Sequence, residues 1–256
     1  IPEGLTQQAL DVLEDYVRSS SERPEYMSSR TWNDSRAFML IALARHGRFL
    51  EQELFVLANQ ATRQGALSID GVSHLLRTQL LRNNASARAS VDALIQTITQ
   101  RLRVESTSAY LTASQDDDAR WIFASDTRST AFGLTALIES QPPAEYERFV
   151  QLMVRYLIEA RQAGRWTSTQ ENIAVVAALS RYQETYETVT PDFTATLRLS
   201  GEQILEATFQ GDNLTAKNAS IPTAALPEGE TLPVSVQTTG SGTAFYTLRS
   251  TSYVAG

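Results

Sequence analysis

Residues 164–182 read GRWTSTQENIAVVAALSRY. Gly164 stops the helix before it, Trp166 is bulky enough to anchor a turn, and Ser168 or Thr169 can cap a new helix with Glu171 and Asn172 in its first turn. The segment that follows is small and apolar on most faces, as a helix buried all round must be. TAFGLTALIES, residues 130–140, has the same character. SARASVDALIQTITQRLRV (86–104) and AEYERFVQLMVRYLIEARQ (144–162) instead carry a wet, charged face. Alternating inner and outer helices are the pattern of an α/α toroid.

Working outward, the first 190 or so residues continue as helix after helix. Leu5, Leu10, Leu13 and Val17 recur at helical spacing and end before the loop-like SSSERPEY. Asp34 or Ser35 is expected to cap a helix whose apolar face, from Ala37 to Leu43, stops at His46-Gly47. Further helices are expected over 50–61, 69–81, 85–102, 127–138, 144–160 and 169–182, with RNNAS (82–86) among the polar turns between them. The tetratricopeptide consensus is not visible. Around Thr190-Pro191 the pattern switches to period two. FTATLRLSG, ILEATFQG, LPVSVQTTGS and TAFYTLRSTSYV alternate apolar with polar, are rich in Thr, and lie among six of the chain's 12 glycines. The expected fold is mainly α: a partial toroid of antiparallel helical hairpins over 1–188, then a small antiparallel β-sandwich-like module of four to five strands over 189–256.

Composition removes much chemistry. The chain has 256 residues, 42% of them hydrophobic, and contains no cysteine, which excludes disulfides, thiolate zinc sites, iron–sulfur clusters and a cysteine nucleophile. Two histidines, His46 and His74, leave little room for a histidine-based metal site. A net charge of −7, with Lys217 the single lysine among 22 basic residues, speaks against a nucleic-acid partner. No apolar run is long enough to span a membrane. The chain opens at Ile1 without the layout of a signal peptide and reads as a piece of something longer.

The remaining candidates have plain readings. QDDDAR (115–120) could hold magnesium, but Asp116, Asp117 and Asp118 are expected in a solvated loop. His46 suits a helix C-terminus and His74 the middle of an amphipathic helix, both structural. Glu202 and Glu206 flank a strand and are expected to face solvent. The triplets at Asn84, Asn213 and Asn218 that match a glycosylation acceptor receive no role. No nucleophile elbow, P-loop or dinucleotide fingerprint is present. No catalytic residue, metal or cofactor is assigned.

Several stretches, in order, resemble the thioester-containing domain of the alpha-2-macroglobulin and complement family and the β domain that carries it. They are IPEGLTQQALDVLEDYV, DARWIFASDTRSTAFGLTALI, FVQLMVRYLIEARQAGRW with the W-x-S-T-Q element at 166–170, and the strands after Asp192. S-D-T-R followed by W-x-S-T-Q points to the bacterial branch. The resemblance implies part of a non-enzymatic protease inhibitor, with target proteases and other domains of the parent chain as partners. It also implies a periplasmic or extracellular setting, with lipid anchoring in the full-length parent. It makes Asp126 with Arg128 the fastening of one hairpin mouth, and Trp166, Ser168, Thr169 and Gln170 that of another. Without cysteine the chain cannot form the family's Cys–Gln thioester, and Phe49-Leu50-Glu51-Gln52 is read as a chance likeness to that motif. The alternative is an α/α-toroid enzyme, a polysaccharide lyase or a terpene cyclase-like protein, with a C-terminal β domain.

Overall fold

A computed structural model describes residues 3–19, 23–63, 65–115, 118–119, 123–142, 144–211, 215–227, 229–244, 246 and 248. Contacts divide the chain into two compact units, Ile1–Tyr182 and Gln183–Gly256. The first holds α1 (Glu3–Arg18), α2 (Ser29–Ala44), α3 (Glu51–Ala61), α4 (Ile69–Arg82), α5 (Ala85–Gln100), a short hairpin of β1 (Leu102–Val104) and β2 (Ala109–Leu111), α6 (Asp126–Ser140) and α7 (Ala144–Glu159). Helix α8 (Thr169–Tyr186) runs to and across the division. The protein is thus mainly α with a small antiparallel β module after it.

Helix α4 is central: it packs on α2, α5 and α6, while α6 packs in turn on α7 and β2. Both are buried along most of their length, with Val72, Leu75 and Leu76 of α4 and Leu134 and Leu137 of α6 fully buried in the core. Glycine is required at two of these crossings. A Cβ on Gly133 would overlap Leu111 of β2, and one on Gly71 would overlap the Asp34 carboxylate of α2. Left-handed backbone at Asn83 (φ 44°) ends α4, and the Asn84 side chain at once caps α5 by accepting from the Ala87 N–H at 2.8 Å.

Three features differ from the sequence reading. Helix α2 begins at Ser29, not near Ala37, so Asp34 and Ser35 lie inside it. Its cap is Ser28, whose hydroxyl accepts from the Thr31 N–H at 3.1 Å. The small residues of α8 are not buried all round: Ala174, Val175, Ala178 and Tyr182 are covered, whereas Ile173 is 61% and Val176 56% exposed, beside exposed Ala177 and Ser180. One face of α8 packs and the other is open. The β1–β2 hairpin leaves no trace in the sequence pattern, because three-residue strands are too short to show a period.

In the second unit β3 (Asp192–Leu199) lies between β4 (Glu202–Gln210) and β5 (Val234–Ser241), both antiparallel to it. The register puts Phe193, Ala195 and Leu197 beside Phe209, Ala207 and Leu205 on one face, with the rings of Phe193 and Phe209 stacked at 5.2 Å. Thr194, Thr196 and Thr208 occupy the other face. Three strands form this sheet among the described residues, against four to five expected. The remaining expected strand, at 243–254, falls mostly outside them.

Candidate functional site

The residues singled out by sequence fall at two helix mouths. At the first, Ser125 caps α6 by accepting from the Arg128 N–H at 3.2 Å. The Asp126 carboxylate reaches back to the strand side of the hairpin and accepts from the Ala113 N–H at 2.8 Å, while the Thr130 hydroxyl accepts from the Leu111 N–H at 2.9 Å. Arg128 points the other way. Its guanidinium donates to Asp70 of α4 at 2.8 Å, Ser129 donates to the other Asp70 oxygen at 2.5 Å, and all three side chains are buried. Arg128 also lies 5.5 Å from the ring centroid of Phe132.

At the second mouth Ser168 and Glu171 form a reciprocal box. The Ser168 hydroxyl accepts from the Glu171 N–H at 3.1 Å and the Glu171 carboxylate accepts from the Ser168 N–H at 3.2 Å. Buried Trp166 donates its indole N–H to the Leu157 carbonyl of α7 at 2.8 Å, and the Asn172 amide donates to the carbonyls of Trp166 and Ser168 at 3.0 and 2.6 Å. Thr169 and Gln170 are exposed in the first turn. Between the two mouths stands Tyr156 of α7, stacked on Tyr110 at 5.0 Å. Burial, joined by the charges of Asp126 and Glu171, raises its phenol above the ordinary value.

Sequence reading missed Asp70 and took Asp34 for a helix cap; both carboxylates are buried. Asp34 accepts from the Ser68 N–H at 2.9 Å, and burial pushes its carboxyl up to about 7. His74 sits between the rings of Phe38 and Phe132 at 5.3 and 4.8 Å. Burial first, then Arg77, Arg128 and Arg45, push its imidazole down to about 3, so it is neutral at ordinary pH. The signal that could have found Asp70 is Ser68-Ile69-Asp70, a cap followed by an acid in the first helical turn.

Asp118 is half-buried and not merely solvated. Burial alone would raise its carboxyl, but hydrogen bonds from the Ser28 N–H (2.7 Å) and the Thr31 hydroxyl outweigh it and hold it low. Asp116 and Asp117 lie outside the described residues, as do Asn213 and Leu214. Asn84 caps α5, and Asn218 is exposed. His46 is exposed in the turn after α2, and Glu202 and Glu206 are exposed on β4. At the likeness to the thioester motif, Glu51 pairs with Arg82 and Gln52 is exposed on α3.

Chemically, both mouths fasten backbone. Each carboxylate named there accepts from a backbone N–H or from a guanidinium and hydroxyl. Among the described residues no group of three or more His, Cys, Asp or Glu is placed to hold a metal ion. A groove of about 390 Å³ between α3 and α5, lined by Phe55, Ala58, Arg82, Ala89 and Ser90, has its only acid, Glu51, already paired with Arg82.

No family model matches the chain. Over 122 residues it is 29% identical to an alpha-2-macroglobulin homolog of Nostoc sp. (strain PCC 7120), an alignment covering 48% of this chain and 6% of that protein. Two solved structures share the fold. One is native alpha-2-macroglobulin from Escherichia coli, spanning domain MG7 to the C-terminus (TM-score 0.56, 16% identity, 82% of this chain and 30% of that one). The other is Escherichia coli alpha-2-macroglobulin activated by porcine elastase (TM-score 0.55, 18% identity, 84% and 18%). The chain resembles part of a bacterial alpha-2-macroglobulin. The likeness is carried by sequence over about half its length and by fold over most of it, and the chain spans a small fraction of each relative.

Proposed function

We propose that these residues are a portion of a bacterial alpha-2-macroglobulin-like endopeptidase inhibitor, with a structural and conformational role and no catalysis of their own. The observation that carries this reading is the coincidence of two likenesses: sequence identity with the Nostoc homolog and a shared fold over 82% of the chain with the Escherichia coli protein. Residues 1–188 serve as part of the α/α toroid of the thioester-type domain and 189–256 as part of the β domain that carries it. Asp126 with Arg128, and Trp166 with Ser168, Thr169 and Gln170, keep the mouths of two hairpins in register during the parent's rearrangement. Its partners are target proteases, met through the full-length parent, and the parent's other domains, in a periplasmic or extracellular setting.

The test is made on the intact parent. Whole-protein mass and free thiols are measured before and after methylamine, and the activity of a cleaving protease is followed on a large and a small substrate. Loss of activity on the large substrate alone supports trapping. An amine adduct with one new thiol places a thioester elsewhere in the parent, and its absence places the parent among members without one. Unchanged protease activity on both substrates overturns the reading.

A further inference from the structure

We propose that the seam between α2 and α4 is a proton-operated latch, closed while Asp34 is a neutral acid and loosened when Asp34 ionises. The geometry comes first. Asp34, only 4% exposed, is set directly against the α4 backbone at Gly71, where a Cβ would overlap its Oδ1 and approach Leu67 to 2.9 Å. Its Oδ1 accepts from the Ser68 N–H, whereas its Oδ2 is buried without a hydrogen-bond partner among the described residues. A buried, half-bonded carboxylate is costly in its charged form and tolerable when protonated. Burial and the nearby Asp70 accordingly favour the acid form up to about pH 7.

The surroundings show what ionisation would disturb. From α2 itself Arg30 faces Asp34, and its Nε donates to the Gly65 carbonyl at 2.9 Å. From the end of α5 Arg101 faces it, donating to the Leu67 carbonyl at 3.0 Å. From α4 comes Asp70, paired with Arg128 and accepting a hydrogen bond from Ser129 of α6. His74 lies one turn further along α4 and is neutral throughout the range concerned. These two cations therefore hold the 65–68 segment, Arg30 to α2 and Arg101 to the end of α5, together with the Asn33 amide of α2 on the Ala66 carbonyl at 3.0 Å. A charged Asp34 competes with those carbonyls for Arg30 and Arg101 and draws water into the seam. Either event releases the 65–68 segment.

The experiment is amide hydrogen exchange on the chain at pH 6 and 8, expressed as protection so that the intrinsic pH dependence cancels. The Ala66 and Val72 N–H groups, bonded to Arg63 and Ser68 carbonyls, report the seam. If opening returns Asp34 to an ordinary carboxylate, their protection falls about tenfold over this interval. In Asp34→Asn, which keeps the acceptor and cannot ionise, protection is the same at both pH values. Constant protection in the wild type, or an equal fall in the variant, overturns the latch. Should the variant fail to fold, the carbon-13 shift of the wild-type Asp34 carboxyl decides: a midpoint near 7 supports the proposal, and one below 5 overturns it.

Discussion

Ser168 and Glu171 hold each other's backbone N–H at the start of α8, so neither donor is left to water. Ser168→Ala removes the cap but leaves the fold, and should lower stability by about 1 kcal/mol in urea unfolding. Arg128 is a different case. Its partner Asp70 is buried, and removing the cation strands that charge, so Arg128→Ala should cost about 3–5 kcal/mol by the same measurement. The contrast between a part-buried cap and a buried ion pair, on mouths that sequence alone ranks equally, is a direct check on which fastening matters more to the fold. A loss under 1 kcal/mol for Arg128→Ala would mean that Ser129 and solvent suffice for Asp70.

At the scale of elements, the close approach of α2 and α4 depends on a missing side chain. Alanine at Gly71 would gain about 1 kcal/mol of helix propensity. The same methyl would collide with the Asp34 carboxylate and Leu67, both buried, so the net change for Gly71→Ala should be a loss of about 2 kcal/mol or more, with a drop in melting temperature. Legibility in the sequence follows the same local-versus-distant divide. The cap of α8 could be read because Ser168 and Glu171 are three residues apart and lead straight into a small, apolar run. At α2 the local cap, Ser28 with Thr31, was obscured by Asp34, which is a plausible cap by type but bonds across to Ser68, while Asp118, 90 residues away, completes the helix start. The β module was visible in its period-two pattern, while β1 and β2 were too short to announce themselves. The open face of α8 was hidden for another reason: small apolar residues say that a helix could be buried, and only its neighbours say on how many sides.

For the whole molecule, two buried groups give opposing responses to pH. His74, lowered from 6.5 to about 3, contributes stability that is complete above pH 6.5 and lost as pH falls through that window, because the unfolded chain binds the proton first. Asp34, raised from 3.8 to about 7, does the reverse: the native state holds the proton, so its contribution is complete below pH 3.8 and lost as pH rises towards 7. Between about pH 4 and 6.5 the two slopes offset each other. Asp34→Asn should unmask His74, so that the difference in unfolding free energy between variant and wild type grows by several kcal/mol from pH 4 to 8. Urea titrations at four or five pH values would show it, and a pH-independent difference would remove Asp34 from the balance.

Trp32 and Trp166 are both buried in the helical unit, and the third tryptophan, Trp121, belongs to the same unit by its place in the chain. The sheet unit has none; its best-packed aromatic pair is Phe193 with Phe209. Light absorbed near 295 nm therefore excites the helical unit and leaves the sheet unit dark. Emission read through that window follows the helical unit alone, with Tyr16, edge-on to Trp32 at 5.2 Å, as a built-in donor when excitation moves to shorter wavelength. Paired with the circular dichroism of the whole backbone, this intrinsic colour difference would let the melting of the two units be followed separately in one cuvette, without attaching a label to either.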